Sequence, residues 1–320
     1  MLSMSPKKSW RHIAKSIIIG FAFVALPLLL LLSACGNSAP TTGSGTPTSN
    51  MLPCSSAVNN SSPPPTPYPP TTNLSAPNDL ISKGTLIVGS DTTYPPQEFI
   101  DTATGKAIGF DVDVITAMAK KLGLNTVVKT ANFTTIIDDL AAKRFDVVIS
   151  AVSINSDRLQ KADFVPYFQS GESLIVPKGN PMGLKCVPNL CGLKVGVQSA
   201  TVELDDLNAG SKACTKAGKP AIQLTVLDKQ TDVIQLLVNH RVDATYQDSP
   251  VTDYYIKQNP GQFEVGGSVV NTVPEGIAVR KGDMSMLEAM RAAFTAIRSD
   301  GTYDSLFTKW QLNTSQKLPG

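Results

Sequence analysis

Histidine is nearly missing from this chain. Its 320 residues hold two, His12 and His240, and the first of these falls in the N-terminal leader. With one histidine left, the folded part offers no Ser-His-Asp or Cys-His pairing for nucleophilic catalysis. It also offers no His/Cys set with zinc-ligand spacing. A surplus of either charge is missing too: 28 Lys and Arg stand against 26 Asp and Glu, a formal net charge of +2. Such a balance implies neither a nucleic acid nor a strongly acidic partner. The leading apolar run is Ile17 to Leu32, a little short of the ~20 residues that span a bilayer. What remains is long enough for one or two globular domains with ample core. No cofactor and no metal are expected.

Lys7, Lys8, Arg11 and Lys15 precede the apolar run. That is the order of a secretory leader, so residues 1–34 read as a signal peptide rather than as fold. The run closes on Leu32-Ser33-Ala34-Cys35-Gly36. This resembles the lipobox of bacterial lipoproteins, which implies lipidation of Cys35 and an extracytoplasmic protein anchored to the cell membrane. Two or more acyl chains on one cysteine hold stably, where one would not. Residues 35–79 then form a tether, TTGSGTPTSN followed by SSPPPTPYPP. It is too poor in apolar residues to order itself, and extended where proline clusters.

Of the five cysteines, Cys35 is assigned to lipid and Cys54 falls in the tether. Cys186, Cys191 and Cys214 remain, outside the cytosol, where disulfides persist. Connectivity is not readable from spacing; the pair expected is Cys191–Cys214.

The folded part is organised around Phe145–Arg158, FDVVISAVSINSDR. Val147 to Ile149 reads as a buried strand, and it runs into hydroxyls and an arginine. In an open α/β sheet, ligands bind beyond the carboxyl ends of strands, and the planar fork of Arg158 matches a carboxylate. Before it come a strand at Thr85–Gly89, a helix opening at Gly109, a strand at Thr126–Val128 and a helix carrying Ile136, Ile137, Leu140 and Ala141. This β-α-β-α-β order implies a mostly parallel sheet. The pattern restarts after Leu174-Ile175-Val176. Strands are expected at Leu193–Val197, Ile222–Leu227 and Asp243–Tyr246, with helices from Thr201 to about Ala209 and from Thr231 to about Asn239. Leu287, Met290, Phe294 and Ile297 share a helical face, and Tyr303, Leu306, Phe307 and Trp310 close the chain as a docking helix. Asp111 and Asp113 read as helix-start residues, and His240 as a surface or packed residue.

GFDVDVITAMAKKL, from Gly109, closely resembles the signature of polar amino-acid-binding proteins of ATP-binding-cassette importers. SDTTYPP, the Ser150–Arg158 loop, VGVQSATVE and RVDATYQDSP agree with that family in order and spacing. The resemblance covers roughly Leu80 to Leu318. It implies a two-lobe α/β periplasmic-binding-protein fold of type II, with two crossing hinge strands and a ligand cleft between lobes. Lobe 1 is expected at 80–171 and 271–318, and lobe 2 at 172–270. Carried over by position, Arg158 is implied as the carboxylate clamp, supported by Ser153, with Ser150 and Ala151 beside the ammonium and carboxylate. Thr201 and the Val202 amide are implied as carboxylate donors at a helix N-terminus, and Asp248 as the acceptor for the α-ammonium. Tyr94 and Phe133 are implied as aromatic walls, Asp91 as the reader of the ligand's distal group, and Gln198 and Gln247 as variable lining. Asn155, Ala200 and Val202 depart from the family's usual Thr, Gly and small residue or Thr.

The expected function is capture of an amino acid, polar or cationic side chains favoured, and its delivery to a permease on separate chains by a monomeric binding protein that is no enzyme. Two alternatives stand beside it. The same fold occurs in periplasmic dehydratases, for which Glu98 or Asp91 is a conceivable acid. A sensory ligand-binding domain would need a transmembrane exit, and none is read between Trp310 and Gly320.

Overall fold

The computed structural model describes Pro53, Cys54 and residues 74–318. The expected signal peptide, Cys35 and most of the tether lie outside those residues.

The first lobe starts with β1 (Thr85–Ser90), whose TLIVGS is buried after its first residue. A small antiparallel sheet follows, made of β2 (Thr93–Tyr94), β3 (Glu98–Ile100) and β4 (Ala107–Ile108). Helix α1 (Phe110–Lys121) carries Asp111 and Asp113 in its first turn and Lys120 and Lys121 in its last, matching the helix dipole at both ends. Its entry needs glycine: Gly109 has φ 138°, and a Cβ there would lie 2.1 Å from Gln97 O. Val114, Ile115, Met118 and Ala119 face inward, while Val112 is half-buried. Then come β5 (Asn125–Thr130), α2 (Ile136–Ala141), β6 (Val147–Val148) and α3 (Ser156–Lys161). Asn155 caps α3, accepting from Arg158 N at 2.9 Å, so the departure from threonine keeps the cap.

β7 (Ala162–Pro177) runs for 16 residues from the first lobe into the second. There β8 (Lys194–Gln198), α4 (Val202–Lys216), β9 (Gln223–Leu227), α5 (Gln230–Val238), β10 (Ala244–Asp248) and α6 (Ser249–Gln258) repeat the β-α rhythm. α4 runs well past Ala209. Gly210 does not end it but lets Val187 approach, since a Cβ there would lie 2.3 Å from Val187 Cγ1. β11 (Phe263–Arg280) returns to the first lobe, where α7 (Met284–Ser299) and α8 (Thr302–Trp310) pack.

The other eight strands form one sheet in the order β5-β1-β6-β11-β7-β10-β8-β9. β1 is parallel to β5 and β6, and β8 is parallel to β9 and β10. β7 and β11 pair antiparallel through the middle, with register shifts between Gly266 and Val270 and between Val270 and Val273. These two strands cross between two separate cores. One joins Phe110, Ile115 and Met118 to Met286, Met290 and Phe307; the other joins Val195, Val197 and Leu207 to Leu174, Cys214 and Tyr246. A third cluster, with Phe145 and Ile154, covers the opposite face of the first lobe's sheet.

Cys191 and Cys214 are joined, tying the start of β8's approach to α4. A second disulfide joins Cys54, in the stretch read as a tether, to Cys186. The last part of that stretch is held too: Asn78 N donates to Ser285 Oγ, and Asp79 pairs with Lys143 at 2.8 Å.

Candidate ligand-binding site

Beyond the ends of β1 and β6, against the ends of β8 and β10, the lobes border a small cavity. Asp91 follows β1. Its N–H donates to Ser150 Oγ at 2.9 Å, and its carboxylate accepts from Thr93 Oγ1 at 3.0 Å and from Gln198 Nε2, in the other lobe, at 2.6 Å. Burial pushes its pKa up to about 6 against the pull of those donors. Ser150 Oγ in turn donates to Glu98 Oε1 at 2.7 Å.

At the other end stand Arg158 and Asp248. The Arg158 fork donates to Ser153 O at 2.7 Å and, across the cleft, to Ala200 O at 3.1 Å. It also lies 5.4 Å from the centre of the Phe133 ring, within cation–π range. Asp248 Oδ1 accepts from Ser170 Oγ and Oδ2 from the Tyr94 hydroxyl, each at 2.8 Å. Burial raises Asp248 to about 6, held back by the Ser170 and Tyr94 donors and by Arg158. Thr201 caps α4: its hydroxyl accepts from Leu204 N at 3.2 Å and donates to Gln198 O at 2.9 Å. Val202, the first residue of the helix, lines the cavity beside it; N–H groups of a first helical turn have no partner within the helix.

The loop backbone is strained where it meets the cavity. Ala151 has φ 44° and Ala200 φ 59°, a region that favours glycine. Ala151 is held there by Asp111, whose Oδ2 accepts its N–H at 2.9 Å and the Tyr167 hydroxyl at 2.6 Å. Asp111 is thus more than a helix-start acid: it is fully buried and raised to about 7 by burial.

Residues 86–313 match the bacterial extracellular solute-binding proteins of family 3. The chain belongs to that family. This solute-binding protein is 32% identical to the L-cystine-binding protein TcyJ of Escherichia coli over 73% of its own length and 85% of the relative's. It is 29% identical to the arginine-binding protein ArgT of Corynebacterium glutamicum, over 73% of its own length and 76% of the relative's. Among solved structures it is similar to an ancestral arginine-binding protein bound to arginine, with 38% identity and a TM-score of 0.65 over 71% of this chain and 98% of that one. It is also similar to AncCDT-1, an ancestral amino acid-binding protein and precursor of cyclohexadienyl dehydratase, with 33% identity and a TM-score of 0.62 over 71% of this chain and 95% of that one. These neighbours share the two-lobe fold of periplasmic binding proteins.

Of the residues expected to line this family-3 site, Asp91, Tyr94, Phe133, Ser150, Ala151 and Ser153 border the cavity from the first lobe together with Arg158, and Gln198, Thr201, Val202 and Asp248 border it from the second. Gln247 does not. Strand alternation turns it away from Asp248, and its amide donates to Ser173 O at 3.0 Å and Thr252 Oγ1 at 2.7 Å, inside the second lobe. Two lining residues went unread as ligand contacts: Glu98, which reading of the chain treated only as a conceivable acid, and Glu203. The position of Glu203, next to Thr201 and Val202 at a helix start, was the available signal.

Proposed function

We propose that this solute-binding protein captures a free α-amino acid between its lobes and delivers it to an ABC permease on separate chains. The observation that carries the reading is the pair Arg158 and Asp248, a cation and an anion from opposite lobes that line one cavity. An amino acid bears both charges on one carbon, and a site that reads it needs both partners at once. Arg158 holds the carboxylate, supported by Ser153 and by the first amides of α4. Asp248 holds the ammonium, and Ser150 and Ala151 lie beside it. Tyr94 and Phe133 wall the side chain. Asp91, oriented by Gln198, meets its distal group, which favours cationic or polar ligands; the names of the arginine- and cystine-binding relatives support that class. Closure and binding are coupled, because the two charges come from different lobes.

In this reading lobe 1 comprises 80–171 and 271–318, and lobe 2 comprises 172–270, with support from the two separate cores. The mature protein starts at a lipidated Cys35 and works as a monomer at the outer face of the membrane. Burial pushes Glu98 well above the ordinary carboxylate range, which would suit a dehydratase acid; the named binding-protein relatives favour release of the ligand unchanged. A thermal-shift screen of the twenty amino acids and L-cystine tests the proposal. A shift of several degrees by one or a few of them is expected, because a ligand that binds only the folded state stabilises it. Recovery of that ligand chemically intact is the second expectation. No shift with any of them refutes the reading.

A further inference from the structure

Four carboxyl side chains line the cavity, those of Asp91, Glu98, Glu203 and Asp248, against the one guanidinium of Arg158. Three of the four are provided with side-chain partners. Asp91 has Thr93 and Gln198, Asp248 has Tyr94 and Ser170, and Glu98 Oε1 accepts from Ser150, although its Oε2 has no hydrogen-bond partner among the described residues. Glu203 is the second lining carboxyl with a bare oxygen. It is 2% exposed, and its Oε1 has no hydrogen-bond partner among the described residues. A favourable place on the helix dipole does not account for this, because the dipole is served as well by an exposed acid, and Asp205 in the same turn is exposed. Burying a carboxyl oxygen without a donor is costly unless something supplies the donor.

The charges that act on Glu203 locate it. Asp248 and Glu172 repel it and Arg158 attracts it, while Tyr94 lies within its field. Asp248, Arg158 and Tyr94 line one end of the cavity, and Glu172 is the residue of β7 paired with Asp248 of β10; Asp91 acts at the other end. A ligand N–H at that end belongs to the head group of an amino acid, not to its side chain.

We infer that Glu203 is a further ligand-contacting residue, its Oε1 accepting an N–H of the α-ammonium that Asp248 holds. This rests on the amino-acid reading of the site. The ammonium then meets two carboxyl groups, one from the end of β10 and one from the start of α4, and the contact is common to every amino acid the protein takes. Burial, then Asp248 and Glu172, raise the pKa of Glu203 well above the carboxylate range; an ammonium beside it relieves that cost.

Calorimetric titration with L-arginine, L-lysine and L-glutamine tests the inference on wild type, Glu203→Met, Glu203→Gln and Asp205→Asn. Methionine keeps the length and removes the acceptor, so it should weaken every amino acid that wild type binds by about 10-fold or more and by a similar factor. Glutamine keeps an acceptor and loses the charge, for a loss of roughly 3- to 10-fold. Asp205→Asn should stay within about twofold. Circular dichroism of the ligand-free variants establishes that they fold; if Glu203→Met does not, Glu203→Gln carries the test, and wild-type affinity in it overturns the inference. So does a methionine variant that binds like wild type, or a loss confined to arginine and lysine, which would place Glu203 on the side chain. Absence of binding of all three by wild type, and of any response in the wider screen, would instead remove the amino-acid reading itself.

Discussion

Tyr94→Phe removes the two hydrogen bonds that one hydroxyl makes between the lobes. The Tyr94 hydroxyl donates to Asp248 Oδ2 at 2.8 Å and accepts the Asp248 N–H at 3.3 Å, and both residues are buried. Burial, reinforced by Asp248 and Glu203, keeps the phenol protonated, so it remains a donor over the whole working range. Phenylalanine preserves the ring packing against Ala151 and Val251 and deletes only the hydroxyl. A hydrogen bond to a charged group contributes about 1.5–3 kcal/mol, so amino-acid affinity should fall by roughly 10- to 150-fold. The pH dependence should move as well. Asp248 must be ionised to hold an ammonium, so wild-type affinity falls as pH drops through about 6. Tyr94 is one of the donors that restrain that pKa; without it the pKa rises further, and the loss of affinity begins at a higher pH. Calorimetry of both proteins from about pH 5 to 8 reads both effects. A variant within twofold of wild type near neutral pH, with an unshifted profile, would refute the reasoning.

Arg158→Ala should weaken binding by about 2–5 kcal/mol, because a ligand carboxylate would be buried without its cation, while the thermal transition of the ligand-free protein persists; near-normal affinity contradicts the clamp. Asp91→Asn should reduce the preference for L-arginine over L-glutamine, and in wild type that preference should shrink as pH falls through about 6, where Asp91 takes up its proton; the asparagine variant should show a flat profile in the same titrations. Replacing Cys191 and Cys214 together by serine opens a bridge of sequence separation 23 and should cost about 3 kcal/mol in the chain-entropy account, read by urea denaturation of lobe 2. Gly109→Ala should destabilise the first lobe by more than about 1 kcal/mol, since its φ and the nearby Gln97 carbonyl both exclude a Cβ; an unchanged midpoint would contradict that geometry.

The parts of the fold legible in the sequence are those written in local pattern. Thr85–Gly89, Val147–Ile149 and Ile222–Leu227 read as strands because short apolar β-branched runs end in polar turns. The α7 face read from Leu287, Met290, Phe294 and Ile297 is buried. β7 and β11 were harder. Ala162–Pro177 and Phe263–Arg280 carry glycines, prolines and charges where they pass from one core to the other, so only the Leu174–Val176 piece stood out. The cavity's lining was legible only through the family resemblance, position by position, and Gln247 does not border the cavity because a matched position does not say which face of a strand a neighbour takes. Glu203 was missed for a different reason. An acid at a helix start is ordinary, and only the fold reveals that this one is buried without a donor. The Cys54–Cys186 bond, with a separation of 132, joins a low-complexity stretch to a distant loop by a contact no local pattern encodes.

That bond changes the mechanics of the molecule. Between Cys54 and Cys186 the polypeptide is a closed covalent ring that contains the first run of β-α units and the outward crossing strand. A single cut anywhere in the ring leaves its two pieces attached. Tension applied upstream of Cys54 also enters the protein at Cys186, beside Val187 on the second core, rather than at Asn78 and Asp79 on the first. A load on the N-terminal segment therefore reaches the second core before the first, and reduction of one sulfur pair would pass it to the first core instead.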